Sequence, residues 1–344
     1  MRRKILFIGG SLNQTTMLHK IASQLQGEHD CYFTPYYASG LIGGVSRLGW
    51  LDFSILGGKH RRNTENYLAQ EKLPVDFGGR SRKYDLAVTC SDLLVQKNIR
   101  GSRLILVQEG ITLPEGALYQ LVRRLSLPRF LANTAATGLS HAYDLFCVAS
   151  HGYKDLFVRK GVDPHKIAVT GIPNFDNADA YRQNDFPHHG FLLAATSSGR
   201  ETFQRVDRLG FIQKVKMLAA GQKVIFKLHP NEDLGRAQQE IRRVLPDALI
   251  YTEGNVHHMI ARCEALVTEF SSVIFTALAL SKPIYADFDL ERLRPLTPLQ
   301  NGGTSAQHIA SLCLHALEQP IRRAQTSQGA FARMLKPPVQ AQGQ

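Results

Sequence analysis

The sequence predicts an α/β protein made of two Rossmann-like, doubly wound domains with a cleft between them. Short apolar strands alternate with helical patterns along the chain, which indicates parallel βαβ units. A segment without periodicity, Gly171 to Gly190, interrupts this alternation and has the composition of a linker. The length of 344 residues also favours two domains over one. We therefore expect a first domain at residues 1–188, a second at 189–335 and a disordered tail at 336–344.

The first domain opens on the strand RKILFIG, which a turn at Gly9, Gly10 and Ser11 connects to a helix. The further strand candidates of this domain are CYFTPYY, YDLAVTC, RLILVQEG, DLFCVAS and KIAVTG. The glycine turn lacks the third glycine of a dinucleotide-binding fingerprint, and CYFTPYY ends without an acidic residue. Both features argue against a Rossmann oxidoreductase.

The second domain repeats the pattern, with strand candidates GFLLAAT, KVIFKLH, ALIYT, EALVTE and KPIYA. In open parallel sheets, ligands bind outside the carboxyl ends of the strands. The candidate functional residues are therefore sought where strands end and loops begin.

The chain is basic, with 41 lysine and arginine residues against 29 aspartate and glutamate residues. This excess is compatible with three anionic partners: nucleic acid, an anionic membrane surface or a phosphorylated substrate. The basic residues form small clusters, and the sequence has no nucleic-acid-binding signature. No nucleic-acid partner is therefore expected.

Five cysteines are widely spaced without a CxxC motif, so reduced core residues are expected, with no metal and no cofactor. The apolar run near the N-terminus is too short for a signal peptide. The longest apolar stretch is broken by Glu269, the Ser271-Ser272 pair and Lys282, which argues against a membrane span. We expect a cytoplasmic protein, with contact at the inner face of the membrane left open.

A histidine and a proline end one strand of the second domain, in the stretch FKLHPNED. Pro230 stops the strand because proline cannot donate to a ladder. His229 is then held at the rim of the cleft, where it can donate to a phosphate oxygen and carry charge near neutral pH. The alternative is a histidine that only caps a turn, and this stretch alone leaves both open.

Two further loops of the second domain have the composition of anion sites. Ser271 and Ser272 precede a helix predicted over Val273 to Leu280, at the position of an N-cap. A second loop follows the strand LLAAT and contains Ser197, Ser198, Gly199 and Arg200. Small residues let backbone amides approach phosphate, and Arg200 can clamp it. A plain capped turn is the alternative for both loops.

The His-Pro pair, the later Ser-Ser pair and the Lys-Pro pair before the next strand together resemble a known set. They resemble bacterial two-domain transferases of the glycosyltransferase-B type that use cytidine-nucleotide donors. These are capsular polysialyltransferases, Kdo transferases and CDP-glycerol glycerophosphotransferases. The motif resemblance covers mainly Gly190 to Asp287. UDP-N-acetylglucosamine 2-epimerases are more distantly similar in fold, but their histidine-arginine pattern and double-glutamate helix are absent.

This resemblance implies that His229 with Pro230, and Ser271 with Ser272, contact the phosphates of the donor. In that group an acidic residue often precedes the serine pair, and Glu269 occupies a similar position, two residues ahead. The loop from Ser197 to Arg200 is expected on the same donor side.

The first domain is expected to supply the catalytic base from Gln108-Glu109-Gly110, which ends a strand opposite the donor site. The sialyltransferase relatives have an acidic pair plus glycine at such a place, and only Glu109 matches. Glu109 is therefore the expected base, and His229 the catalytic residue on the donor side. The alternative is a glutamate that only binds nearby amides or an arginine. In this architecture the first loop lines the acceptor side, which implicates Gly10, Ser11 and Asn13.

Two segments mix apolar and basic residues, LGWLDFSILGGKHRR and LYQLVRRLSLPRF. Each is compatible with an anionic bilayer surface or with a core helix that ends in a solvated basic loop, and the second interpretation is favoured. The adjacent pairs His188-His189 and His257-His258 are expected on the surface, since neighbours on a helix do not face one ligand.

These observations lead to one expected function and two alternatives. The expected function is transfer of a sugar or polyol-phosphate group from a nucleotide-activated donor to a hydroxyl in cell-surface polysaccharide assembly. The acceptor would be a glycan, a lipid-linked molecule or a polyol. The alternatives are an epimerase that acts on a nucleotide sugar and a non-catalytic nucleotide-sugar-binding protein.

Overall fold

The computed structural model describes residues 2–319 except residues 53, 113, 198, 203–205, 270 and 288. Within these residues, the strands predicted from the sequence are all present and form two parallel sheets. The strands of the first sheet are β1 (Lys4–Gly9), β2 (Asp30–Pro35), β3 (Leu86–Thr89), β4 (Arg103–Val107), β5 (Leu145–Val148) and β6 (Ile167–Val169). Those of the second sheet are β7 (Leu192–Ala195), β8 (Val224–Lys227), β9 (Leu249–Tyr251), β10 (Ala265–Thr268) and β11 (Ile284–Tyr285).

Helices connect most of the strands. In the first half they are α1 (Leu12–Ser23), α2 (Gly40–Arg47), α3 (Gly58–Gln70), α4 (Ala117–Arg124) and α5 (His151–Lys160). In the second half they are α6 (Arg208–Ala219), α7 (Leu234–Val244), α8 (Val256–Arg262), α9 (Val273–Ala279) and α10 (Ser305–Glu318). None of the helices in the described part of the chain combines the length and the hydropathy that crossing a membrane requires.

The strand order of the first sheet is β2-β1-β3-β4-β5-β6, and that of the second is β11-β10-β7-β8-β9. Every residue of β3, β7, β8 and β10 is buried, as expected for parallel strands that helices cover on both faces. In each sheet, therefore, all the carboxyl ends lie at one edge. The loops that carry the predicted functional residues begin at these edges.

The segment predicted as a linker is packed against both halves of the chain. Phe175 belongs to the hydrophobic core of the first sheet, whereas Ala178 and Phe186 belong to a core of the second. A short 3-10 helix, Ala178–Arg182, lies within it. The segment from Gly171 to Gly190 thus contributes apolar side chains to both halves.

The last helix returns to the first sheet. Ile309, Ala310 and Cys313 of α10 are buried in the same core as β1 and α1, although they follow all strands of the second sheet. We call the first sheet with its helices, including α10, the first lobe, and the second sheet with its helices the second lobe. The sequence-based domain limits assigned residues 305–318 to the second domain; the expected tail lies outside the described residues.

Candidate active site

His229 lies at the carboxyl end of β8, where its backbone is fixed by two acceptors. The His229 amide donates to Thr196 Oγ1 at 3.0 Å and to Glu232 Oε2 at 2.9 Å. Its ring is fixed as well, because the amide of Asn231 donates to Nδ1 at 3.1 Å. Backbone and ring are therefore both positioned at the edge of the second sheet.

The ring of His229 is neutral at physiological pH. Burial lowers its pKa to about 4, and the nearby His60 and Lys227 side chains act in the same direction. This lowered pKa differs from the expectation that His229 carries charge near neutral pH, since the residue is only partly exposed at the end of β8. Because Nδ1 accepts a hydrogen bond, the neutral ring carries its proton on Nε2 and can donate it to an anion.

A buried ion pair between Glu232 and Arg208 stabilises the His229 loop. The Glu232 carboxylate accepts hydrogen bonds from the Arg208 guanidinium and from the Thr196 hydroxyl, in addition to the His229 amide. Glu232 and Arg208 are 5% and 4% exposed, so each charge depends on the other for compensation. Sequence reasoning missed both residues; the available signal was a glutamate three positions after the histidine.

The loop after β7 connects the His229 loop to the serine-pair loop. Thr196 contacts His229, while Ser197 donates to Glu269 Oε2 through its amide at 2.9 Å and its hydroxyl at 2.5 Å. The Gly199 amide in turn donates to Ser197 Oγ at 3.4 Å. Glu269 also lies 3.6 Å from Nη1 of Arg208. Ser197 and Glu269 thus hold two loops together.

Arg200 was predicted to clamp phosphate, and its guanidinium instead forms a bidentate pair with Glu240 of α7. The two hydrogen bonds measure 2.9 and 2.7 Å. Arg200 is therefore bound to a carboxylate of its own lobe. Ser198, the remaining residue predicted in this loop, lies outside the described residues.

The serine pair lies between the two lobes. Ser272 occupies the N-cap position of the seven-residue helix α9, but its side chain makes no capping hydrogen bond. Its hydroxyl instead accepts the amide of Ile111, in the first lobe, at 3.3 Å. A Cβ atom on Gly110 would lie 2.7 Å from the Ser272 hydroxyl, so a larger residue there would displace this hydroxyl. Among the described residues, none hydrogen-bonds the hydroxyl of Ser271.

Glu109 follows β4 and is held by side chains of the first loop. Ser11 Oγ donates to Oε1 at 2.8 Å, Gln14 Nε2 to Oε2 at 2.6 Å, and Asn13 Nδ2 to Oε1 at 3.4 Å. The Gly10 amide fixes Gln14 by donating to its Oε1 at 2.7 Å. An ionised carboxylate has about four lone-pair sites, so the three donors found among the described residues leave one for a further hydrogen bond.

Gln108, which replaces the first acidic residue of the sialyltransferase pattern, is buried and structural. It accepts the amide of Ala149 at 2.9 Å and donates to the Gly110 carbonyl at 2.8 Å. These bonds fix the loop on either side of Glu109.

Two residues of α3 reach across to the His-Pro loop. Lys59 donates to the carbonyl oxygen of Pro230, and His60 Nε2 lies 3.4 Å from Nδ2 of Asn231. Burial lowers the pKa of His60, whereas the negative charge of Glu109 acts to raise it. The pKa of His60 therefore depends on the charge of Glu109, and the pKa of His229 depends on the charge of His60. Sequence reasoning assigned these residues to a basic cluster and missed this contact.

The two adjacent histidine pairs differ in exposure: His189 is exposed, as expected for a surface residue, whereas His188, His257 and His258 are half-buried. His257 Nδ1 is 2.8 Å from the Thr276 hydroxyl, and the ring stacks on Tyr181 at 4.8 Å. Burial lowers its pKa to about 4. In the other pair, the rings of His188 and Tyr251 are linked by a 2.9 Å hydrogen bond, while His189 contacts Arg262.

No protein-family model matches the chain, and no curated protein matches its sequence. Solved structures of similar fold do exist. A UDP-N-acetylglucosamine 2-epimerase from Listeria monocytogenes, itself described as putative, matches with a TM-score of 0.57 and 14% identity over 94% of this chain and 99% of that one. The epimerase from Neisseria meningitidis bound to UDP-GlcNAc matches with a TM-score of 0.56 and 11% identity over 91% and 100% of the two chains.

The wall teichoic acid polymerase TagF also matches, with a TM-score of 0.50 and 14% identity over 92% of this chain and 89% of that chain. The class defined by these likenesses and by the two parallel sheets is the glycosyltransferase-B type fold. The fold predicted from the sequence is confirmed, and the likeness at these identities concerns the fold alone.

Proposed function

We propose that the protein is a transferase that moves a sugar or polyol-phosphate group from a nucleotide-activated donor to an acceptor hydroxyl. The observation that carries the proposal is that the two lobes meet at two contacts beside the predicted residues. The Glu109 loop contacts Ser272, and His60 contacts the loop of His229. Because β8 and β10 both neighbour β7, the His229 loop and the serine-pair loop follow strands about 10 Å apart at the same edge of the second sheet.

In this proposal the donor phosphates bind the second lobe. Nε2–H of His229 and the hydroxyls of Ser271 and Ser272 donate to phosphate oxygens. As the bond between the transferred group and the nucleotide breaks, the leaving phosphate gains negative charge, and fixed donors stabilise it. A neutral donor suits this role, because it needs no change of protonation between pH 5 and 8.

On the first lobe Glu109 acts as the general base. The acceptor hydroxyl takes the lone-pair site left by Ser11, Asn13 and Gln14, transfers its proton to the carboxylate and attacks the donor. One bond from the acceptor oxygen forms, and one bond to the nucleotide phosphate breaks. A glycan, a lipid-linked molecule or a polyol in cell-surface polysaccharide assembly supplies the hydroxyl, at the cytoplasmic side of the membrane.

Nucleotide binding gives the first test. CMP, CDP, UDP and GDP are added separately to the full chain, and a ligand of the folded state raises the melting temperature by mass action. We expect one cytidine nucleotide to give the largest shift. His229→Ala should abolish most of this shift and lower turnover about 100-fold, whereas His308→Ala, an exposed histidine on α10, should change neither. No shift with any nucleotide would refute the proposal.

A nucleotide-sugar epimerase is the second candidate, because two epimerases have this fold at TM-scores of 0.57 and 0.56. Labelled nucleotide sugar incubated with the protein alone separates the two. Conversion of the sugar without an acceptor supports the epimerase, and product that forms only with an acceptor supports the transferase. Binding with neither product indicates a non-catalytic nucleotide-sugar-binding protein.

A further inference from the structure

The helix α4 exposes apolar side chains that the core of the protein does not cover. Leu118, Leu121 and Leu125 are 55%, 47% and 60% exposed, and Phe130 and Leu131, which follow in a 3-10 helix, are 38% and 43% exposed. We call these five residues the α4 patch. Five of the fourteen exposed large hydrophobic side chains among the described residues thus fall within residues 118–131. Scattered exposed leucines are ordinary, whereas a cluster marks an interaction surface.

The helix has two apolar sides, and only one is buried. Tyr119 and Val122 pack with Ala132, Ala135 and Ala136 in a small hydrophobic cluster of their own. At 3.6 residues per turn, Leu118, Leu121 and Leu125 lie within about 60° of one another, adjacent to this buried side. The apolar side of α4 next to the buried side therefore lies exposed to solvent and has no packing partner among the described residues.

The charge of this segment indicates which kind of partner binds the α4 patch. No aspartate or glutamate occurs between Glu115 and Asp144, whereas Arg123, Arg124 and Arg129 lie within it. Arg124 lies about 60° around the helix from Leu121, beside the exposed leucines. Exposed leucines beside Arg124, in a segment whose charged side chains are all basic, match the boundary between acyl chains and anionic headgroups.

Other occupants fit this surface less well. A second copy related by a two-fold axis would bring arginines against arginines, which is unfavourable without a counter-charge. Nucleic acid would meet the arginines but would leave the leucines without apolar contacts. An anionic bilayer satisfies both kinds of side chain.

We propose that the α4 patch docks the protein on an anionic lipid bilayer, with the leucines and Phe130 in the interface and the arginines at the headgroups. The proposal stands on exposure and charge and is independent of the donor chemistry. Glu109 and α4 are close along the chain, because the segment from Gln108 to Gly116 connects β4 to α4. If the proposed transfer also holds, the patch would bring the first lobe to the membrane that carries a lipid-linked acceptor.

The test is flotation of the full chain with vesicles. Wild-type protein should float with vesicles of equal parts phosphatidylglycerol and phosphatidylcholine, and should remain unbound with phosphatidylcholine alone. The double variant Leu118→Glu with Leu125→Glu should lose at least about tenfold in partitioning, because two apolar anchors become anionic. Arg124→Gln should lose about fivefold, and high salt should reduce this difference.

The matched control is Leu209→Glu with Met217→Glu on α6, two side chains that are 55% and 74% exposed in the second lobe. It makes the same change in charge and should float like wild type. Failure of wild type to bind anionic vesicles, or equal loss in the control, would overturn the proposal. A second outcome would also overturn it. In that outcome, sedimentation shows a concentration-dependent dimer, and the double leucine variant disrupts the dimer but leaves flotation unchanged. The nucleotide-induced melting shift of each variant reports separately on folding and on the donor site.

Discussion

The amide of Asn231 donates to Nδ1 of His229 at 3.1 Å, and this bond determines where the neutral imidazole keeps its proton. The other ring nitrogen, Nε2, is then the donor available to a ligand. The same loop contacts the first lobe through Asn231 and His60. The turn from His229 to Asn231 therefore determines the tautomer of His229 and also forms a contact between the lobes.

The titration of His229 can be followed directly. We expect an apparent pKa of about 4, because burial and the nearby His60 and Lys227 side chains disfavour the imidazolium. Nitrogen-15 NMR of the histidine rings, assigned with His229→Gln, should give the Nε2–H tautomer between pH 8 and 5. A midpoint near 6.5, or the proton on Nδ1, would contradict this arrangement.

Stability should decrease on acidification because two half-buried histidines resist protonation. His229 and His257 have pKa values lowered from 6.5 to about 4 in the folded state, whereas both titrate normally when unfolded. Between pH 6.5 and 4 the unfolded chain therefore binds more protons, and the free energy of unfolding falls with falling pH. Urea unfolding at pH 7.5 and pH 5 measures this difference.

His257→Phe isolates one part of that effect. The aromatic contact with Tyr181 is kept, and the hydrogen bond to Thr276 is lost, so stability at pH 7.5 should fall by about 1 kcal/mol. The loss between pH 7.5 and pH 5 should then be smaller than in wild type. His308→Phe, on the exposed side of α10, should leave the pH dependence as it is; an unchanged slope in both variants would exclude His257 as its source.

Removing one partner of the buried pair between Glu232 and Arg208 should strongly destabilise the folded protein. Glu232→Gln leaves a buried guanidinium without its main counter-charge, which should lower the free energy of unfolding by about 3 kcal/mol. Thr196→Val removes one hydroxyl from the same network and should cost about 1–2 kcal/mol. Asp289→Asn breaks an exposed pair with Arg292 and should cost less than about 0.5 kcal/mol in the same unfolding experiment. Equal losses in all three variants would contradict a supporting role for this pair.

Glu109 should affect transfer and not donor binding. Glu109→Gln keeps the size of the side chain but removes the base, so turnover should fall by about 100-fold or more while the nucleotide-induced melting shift is retained. Glu115→Gln, an exposed acid in the same loop, is the matched control and should retain full turnover. If Glu109→Gln retains full turnover, the base must be another group.

Local sequence signals predicted the elements but not the contacts between lobes. The strands were recognisable because their apolar runs end in glycine, proline or polar residues, and Glu109, His229 and Ser272 follow such ends. Lys59 and His60 lie on a helix, and nothing in their neighbourhood indicates that this helix faces Pro230 and Asn231. Their role depends on how the lobes meet, which no local pattern encodes.

The charged residues of the second lobe illustrate a different limit. Arg200 has the composition of a phosphate clamp next to small residues, yet Glu240, forty residues away, forms a bidentate pair with it. Arg208 is part of a helix in which no local sequence pattern marks it, yet it is the buried partner of Glu232. Pairing between distant charges decides which basic residues remain available to a ligand.

The return of α10 has a consequence for synthesis. The helix that completes the hydrophobic core around α1 and β1 is translated after every strand of the second sheet. While the nascent chain is still growing, the apolar surface that Ile309 and Cys313 later occupy has no partner. The first lobe therefore cannot complete its core until the second sheet has been translated, although domains generally fold in order of synthesis.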